Sequence, residues 1–133
     1  MISMKCAALT GISPELIKQL KMGKPRTLEL QSAHNVVTIA GIEPGTSLFM
    51  TSVDMEDLSA GDSGIVVDII STSISMKRII EFSQGLHFEE RERTSARIQV
   101  KCNSNATVRT ISHEGVVAPT LVEVVKTSCY HAI

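Results

Sequence analysis

The spacing of hydrophobic positions changes from one part of this chain to the next. Lys5-Cys6-Ala7-Ala8-Leu9 is a short apolar run that predicts a strand, and Thr10-Gly11 breaks it. The following segment has helical spacing, with Leu16, Ile17 and Leu20 on one stripe and Lys18 and Lys21 facing water. Its ends are marked too. Ser13 stands at the N-cap and Pro14 at the first helical position, where a missing N–H costs nothing; Glu15 faces the positive end of the helix dipole. Ile12 and Ile17 occupy the two positions of a hydrophobic staple. Gly23 can turn the chain out of the helix, and Pro25 prevents its resumption. These features predict one helix over 13–22.

Beyond it the period falls to two. In Thr27-Leu28-Glu29-Leu30-Gln31 the leucines point one way and Thr27, Glu29 and Gln31 the other. Val36 to Ile39 reads as a short strand, Pro44-Gly45 as a turn, and Ser47 to Thr51 as another strand. Asp54 to Gly64 is acidic and rich in small residues, which predicts a loop. Ile65 to Ile70 is a β-branched run interrupted by Asp68. Residues 74–82 alternate, and 95–102 alternate most cleanly, with Ala96, Ile98, Val100 and Cys102 facing in. Thr107 to Ile111 and Leu121 to Thr127 complete a set of seven or eight strands. One helix ahead of so many short strands predicts a mainly β (α+β) domain, a small barrel or a strongly curved sheet closed on itself. A split βαβ sandwich would need a second helix, for which only 77–83 offers a segment. The barrel is the expectation, with 1–133 as a single domain.

Composition narrows the class. A chain of 133 residues with 43% hydrophobic and 20% charged residues can bury a core without staples, which excludes a disordered chain. No apolar run approaches the ~18 residues that span a bilayer, and Met1 to Lys5 lacks a signal-peptide layout, so no membrane is expected and the cytoplasm is the expected compartment. Cys6, Cys102 and Cys129 are an odd number without CxxC spacing, which suits reduced thiols rather than a disulfide framework.

The net charge of −1 conceals segregation. Residues 1–26 carry five Lys and Arg against one acid, whereas residues 27–76 carry seven acids and no Lys or Arg. A domain that wraps duplex nucleic acid without sequence preference is basic throughout, so any anion site here is local.

The stretch from Ile12 to Ser32 resembles the start of ASCH domains, members of the PUA-like superfamily. There a helix leads into a Gly-x-Lys-x-x-Glu-x-Arg motif on the next strand. The matching run is Gly23-Lys24-Pro25-Arg26-Thr27-Leu28-Glu29-Leu30-Gln31. Glu29 matches the motif glutamate, Arg26 falls where the lysine belongs, Gln31 falls where the arginine belongs, and Gly23 lies one residue too far upstream. Pro44 to Phe49 and Gly61 to Val67 look like that superfamily's strand beginnings. The resemblance covers about half the chain. It implies a PUA-like β-barrel with a cleft that binds RNA, a nucleotide or a modified nucleoside, and that in some members hydrolyses its ligand. The whole chain is also similar to a small family of uncharacterised proteins from methanogenic archaea, through Thr27 to Val37, Glu89 to Lys101 and Ser128 to Ala132.

Against that background Arg26, Glu29 and Gln31 are read as sharing the polar face of one strand. Glu29 can accept from a base amino group, Gln31 can read an amide edge and Arg26 can hold a phosphate. Arginine stays protonated where the motif lysine can carry a proton, and Gln31 removes a bidentate clamp; both changes favour binding over catalysis. Ser32, His34 and Asn35 follow directly and can line the same cleft. Glu89-Glu90-Arg91-Glu92-Arg93 precedes the cleanest strand, and Arg91 and Arg93 with Arg97 and Lys101 would form a basic stripe. The plainer reading is a solvated strand face in the first case and a self-compensated edge in the second.

Other chemistry has thinner support. Cys129-x-His131 would put two ligand atoms on one strand face, with His87, His113 or Cys102 to add, but no second pair has ligand spacing, so no metal and no cofactor are expected. The acids at Asp54, Glu56, Asp57 and Asp62 lack the order of a calcium loop and read as solvated. Only Phe49, Phe82, Phe88 and Tyr130 are aromatic, too few for a stacking platform. The expectation is a binding module for RNA or a nucleotide at Arg26, Glu29, Gln31, Ser32, His34, Arg91 and Arg93. The alternatives are a small hydrolase of a modified nucleoside with Glu29 as general base, and a non-catalytic homo-oligomeric or adaptor domain.

Overall fold

The computed structural model describes residues 2–83, 87–113 and 119–128, with side chains for 3–76, 93–112 and 119–127. In chain order the elements are β1 (Ile2–Leu9), α1 (Pro14–Leu20), β2 (Arg26–Leu30), α2 (Ala33–Ala40), β3 (Ser47–Met50), a 3-10 turn at Met55–Asp57, β4 (Ser63–Ser83), β5 (His87–His113) and β6 (Thr120–Ser128). Among the described residues the protein is mainly β, with two helices and one six-stranded sheet.

The helix expected at 13–22 is there but shorter. Ser13 stands at its N-cap without a side-chain bond. Its carbonyl instead accepts from Ile17 N at 3.1 Å, the first turn being closed by backbone alone. Ile12, Ile17 and Leu20 are buried beneath it, as the staple and stripe require. Gly23 follows at φ 92° and ends the helix.

Val36 to Ile39, read as a strand, lies instead within α2, so there are two helices rather than one. The β-branched run misleads because packing overrides propensity over so short a segment. Ser32 caps this helix, its Oγ accepting from Asn35 N at 3.2 Å, and Gly41 closes it. Asn35, Thr38 and Ile39 then fall on the buried face. The segment 77–83, offered as a second helix, belongs to β4.

Sheet order is β2-β5-β4-β3-β1-β6, with an additional β5–β6 pairing that brings the last strand back to the second. The pairings β5–β4–β3–β1–β6–β5 thus form a ring, from which β2 hangs on Ala96–Val100 of β5. The expected short strands at 65–70 and 74–82 are one strand, as are those at 95–102 and 107–111. Bulges between Val66 and Val67 and between Ile69 and Ser71 shift the alternation and make β4 look segmented.

Leu48, Phe49 and Met50, like Ile65, Val66 and Val67, are fully buried. Strands covered on both faces read as unbroken apolar runs. Leu48, Met50, Ile65 and Val67 join a cluster under the helices; Phe49 and Val66 join a second cluster with Cys6, Ala8, Val122 and Val124. Gly64 allows this closeness, because a Cβ there would collide with Met50 O and the Phe49 ring.

Past the ring, β4 and β5 continue as a two-stranded ribbon. Residues 75–83 and 87–95 pair with each other and with no further strand among the described pairings. At ~3.4 Å per residue the ribbon reaches about 30 Å. Met76 on it is 66% exposed, and Ile74 at its base is 47% exposed.

Candidate functional site

The corner where β2 turns into α2 builds one wall of a cleft of about 620 Å³, within the range of small-molecule sites. Leu28, Glu29, Leu30, Gln31, Ser32, His34 and Asn35 contribute that wall. The opposite wall is the β1–α1 corner, Thr10 to Ser13 with Leu16, and the rim is Asp54, Met55 and Glu56 from the β3–β4 connection.

Backbone bonds fix the walls. Gly11 N donates to Val53 O at 2.9 Å and Ile12 N to Thr51 O at 3.0 Å, which extends the β1–β3 ladder beyond the strands. Gly11 has φ 64°, and Asp54 Oδ1 lies 3.2 Å from where its Cβ would be, so the absent side chain lets Asp54 close over the corner. Asn35 ties the other wall to this one. Its Oδ1 accepts from Thr10 N at 3.1 Å and its Nδ2 donates to Thr10 O at 2.9 Å, both buried. The amide takes the place that a neighbouring strand would fill.

The cleft is acidic. Glu29, Asp54 and Glu56 line it, and no Lys or Arg does so among the described lining residues. Gln31 Nε2 donates to Glu29 Oε1 at 3.4 Å. Arg97 on β5 sits opposite Glu29 in register and comes within 3.9 Å of it. Both side chains are largely exposed, at 67% and 46%, so that pair holds Glu29 only loosely. His34 Nε2 is shielded from water and has no partner among the described residues. Its carbonyl accepts from Thr38 Oγ1 at 2.9 Å, which anchors the first turn of α2.

Of the residues singled out from the sequence, Glu29, Gln31, Ser32 and His34 come together here. Arg26 does not. In a strand it shares a face with Leu28 and Leu30 and lies opposite Glu29 and Gln31, so the shared polar face read from the sequence excludes it. Arg93 lies exposed on the ribbon and is absent from the lining. Arg91 pairs with Ile79 along the same ribbon, and its side chain is outside the described residues.

The sequence reading did not place Thr10 to Ser13, Met55 or the carboxylates of Asp54 and Glu56 at a site. The acid-only composition of 27–76 was the available clue to the sign of this cleft. Cys129 and His131 lie outside the described residues, as do the side chains of His87 and His113; among the described residues no three His, Cys, Asp or Glu cluster as metal ligands. Cys6 and Cys102 are buried thiols outside any disulfide. Burial pushes the Cys6 thiol up to about 11, against smaller opposing effects of a backbone bond at Phe49 and the Lys126 charge. No helix among the described residues is long and apolar enough to cross a membrane.

Residues 4–122 match the family described as "Protein of unknown function (DUF473)". An uncharacterised protein of Methanocaldococcus jannaschii is 31% identical over 98 residues, covering 74% of this chain and 60% of that protein. The expected kinship with uncharacterised archaeal proteins holds. Among solved structures, the N-terminal domain of a Mycobacterium avium complex Lon protease is similar with a TM-score of 0.52 at 15% identity, over 98% of this chain and 58% of that chain. The match therefore spans less than two thirds of either relative. At that identity the second likeness concerns the fold alone.

Proposed function

The chain belongs to this DUF473 family, and we propose that it is a binding module of PUA-like barrel type whose acidic cleft takes the base of a nucleotide or of an RNA strand. One observation carries the reading: Glu29, Gln31, Ser32 and His34, within six residues around one corner, line a single cleft without a cation among its described walls. A carboxylate and an amide side by side suit a ring that offers amino hydrogens and an amide edge. Leu16, Leu28 and Met55 supply apolar contact for its faces. The ring of strand pairings supports the barrel, and the ASCH-like run that ends at Gln31 supports the superfamily. Phosphates are repelled by three carboxylates, so the base enters and the backbone stays outside. Catalysis is the weaker reading, because a general base wants a dry pocket and Glu29 is 46% exposed.

The test is a titration of nucleosides, which carry no phosphate, followed by amide chemical shifts. Cytidine and adenosine are expected to perturb Glu29 to Asn35, with Glu29→Gln weakening binding about tenfold, the loss of one charge-assisted bond. Uridine binding as tightly as cytidine, or shifts confined to other surfaces, would overturn it.

Self-association has one specific observation behind it: a ribbon whose edges pair with no further strand among the described pairings, with Met76 exposed on it and Ile74 exposed at its base. Sedimentation of the wild type and Met76→Lys tests this reading. A monomer at every accessible concentration removes it.

A further inference from the structure

α1 has a second side. Leu16 faces the acidic cleft, while Pro14, Ile17, Lys18 and Lys21 line a separate cleft of about 430 Å³. Its floor is where the ring's strands converge: Ser52 after β3, Ser63 and Gly64 of β4, Asn105 to Thr107 of β5 and Thr127 of β6. A bulge between Asn105 and Ala106 lies in this floor.

The chemistry of this cleft is the reverse of the first. Two lysines, four hydroxyls and one carboxamide face it, and no carboxylate does so among the described lining residues. It draws on the basic N-terminal stretch, whereas the other cleft draws on the acidic segment after residue 26. One short helix therefore separates a negative cleft from a positive one. Lys21 is already engaged in an interaction of its own, so it lends charge while Lys18, exposed on the next turn, is the arm that can reach a ligand.

We propose that this second cleft is a phosphate-binding site, held by Lys18 and Lys21 with the hydroxyls of Ser52, Ser63, Thr107 and Thr127. A phosphate group presents several strong acceptors and needs a cation with several small donors around it, which is the set assembled here. Sulfate-sized anions fit the volume with room to spare, so a phosphate carried on a larger organic group fits as well. The inference concerns a different surface from the acidic cleft and stands whether or not that cleft takes a base.

Inorganic phosphate and pyrophosphate, titrated at low ionic strength, provide the test without any nucleoside. Amide shifts are expected at Lys18, Ser52, Ser63, Asn105 and Thr107, with pyrophosphate the tighter ligand and affinity falling as salt screens the lysines. Lys18→Glu is expected to weaken pyrophosphate about tenfold or more and Lys18→Arg to retain it. Thr107→Val checks the floor independently, with a smaller loss. Shifts centred on Arg91 to Arg97, equal binding by Lys18→Glu and the wild type, or no pyrophosphate binding at millimolar concentration would each overturn the site. Nucleoside binding in the first cleft is read separately at Glu29 to Asn35, so failure of one site is distinguishable from failure of the other.

Discussion

Replacing Asn35 by alanine removes the clamp between the two walls of the acidic cleft. Thr10 and Asn35 are 7% and 5% exposed, so water does not simply take the amide's place. The Thr10 N–H and C=O both lose their partner. Leaving a buried donor or acceptor unsatisfied costs about 1–3 kcal/mol each, so the pair costs about 2–6 kcal/mol. Alanine gives back roughly 0.6 kcal/mol as the better helix former. The Ser32 cap survives, because it uses the backbone N–H of residue 35. The net expectation is a loss of about 1–5 kcal/mol. For a chain of this length, thermal unfolding should shift by roughly 3–4 °C for each kcal/mol. Urea denaturation followed by circular dichroism measures it directly. Asn35→Asp adds a sign check. A carboxylate accepts from Thr10 N but cannot donate to Thr10 O until it is protonated. That carboxyl is therefore protonated more readily folded than unfolded, and this variant should gain stability as the pH falls. A midpoint for Asn35→Ala within about 0.5 kcal/mol of the wild type, at an unchanged denaturant slope, would refute the reasoning.

Three further outcomes follow from the same structure. Gly64→Ala places a methyl group against Met50 O and the Phe49 ring, and should lose about 1–3 kcal/mol in the same urea assay. Cys6 should resist alkylation at pH 8 in the native protein and react on denaturation. Its thiol is held near 11 when folded against 9.0 ordinarily, so the unfolded chain loses its proton first as pH rises. Stability is unaffected below about pH 8 and falls by about 1–3 kcal/mol between pH 9 and 11, an effect that Cys6→Ala abolishes. Amides of residues 75–83 and 87–95 should exchange with solvent far faster than those of Val66, Ile98 or Val122, since an isolated two-stranded ribbon is only marginally stable.

What could be read from the chain was what its neighbours decide. The first helix was visible because Ile12, Pro14, Ile17, Gly23 and Pro25 act within one another's reach. β2 was visible because Leu28 and Leu30 alternate with polar residues. α2 was hidden by Val36, Val37, Thr38 and Ile39, all β-branched, with only the Ser32 cap and Gly41 to mark its ends. β4 was seen in pieces because the bulge at Ile70 reverses its inward parity, and β5 because the polar run Asn103-Ser104-Asn105 interrupts its apolar alternation. The Asn35 clamp reaches 25 residues back to Thr10, and no local pattern records such a partner. Glu29, Gln31, Ser32 and His34 were legible as a group because one chain corner carries them. Asp54 and Glu56 were not, since a separate connection must fold over that corner to bring them in. The arginines were misplaced for a plainer reason: alternation separates Arg26 from Glu29, and Arg93 belongs to a ribbon that leaves the ring.

The ring of strands also constrains how the chain can fold. Ile2 pairs with Lys126 and Ala7 with Leu121, so β1 and β6 meet across nearly the whole sequence. Chain entropy must be given up before that pairing returns any energy. Folding should accordingly be slow, as in proteins dominated by distant β pairings, rather than on the microsecond scale of helical bundles. A nascent chain that has made β1 through β5 still lacks Val122 and Val124, leaving Cys6, Ala8 and Phe49 without their cover. It also presents β1 with one edge unpaired. On the ribosome this protein therefore passes through a state with a sticky strand edge and an open apolar cluster, and β6 removes both at once.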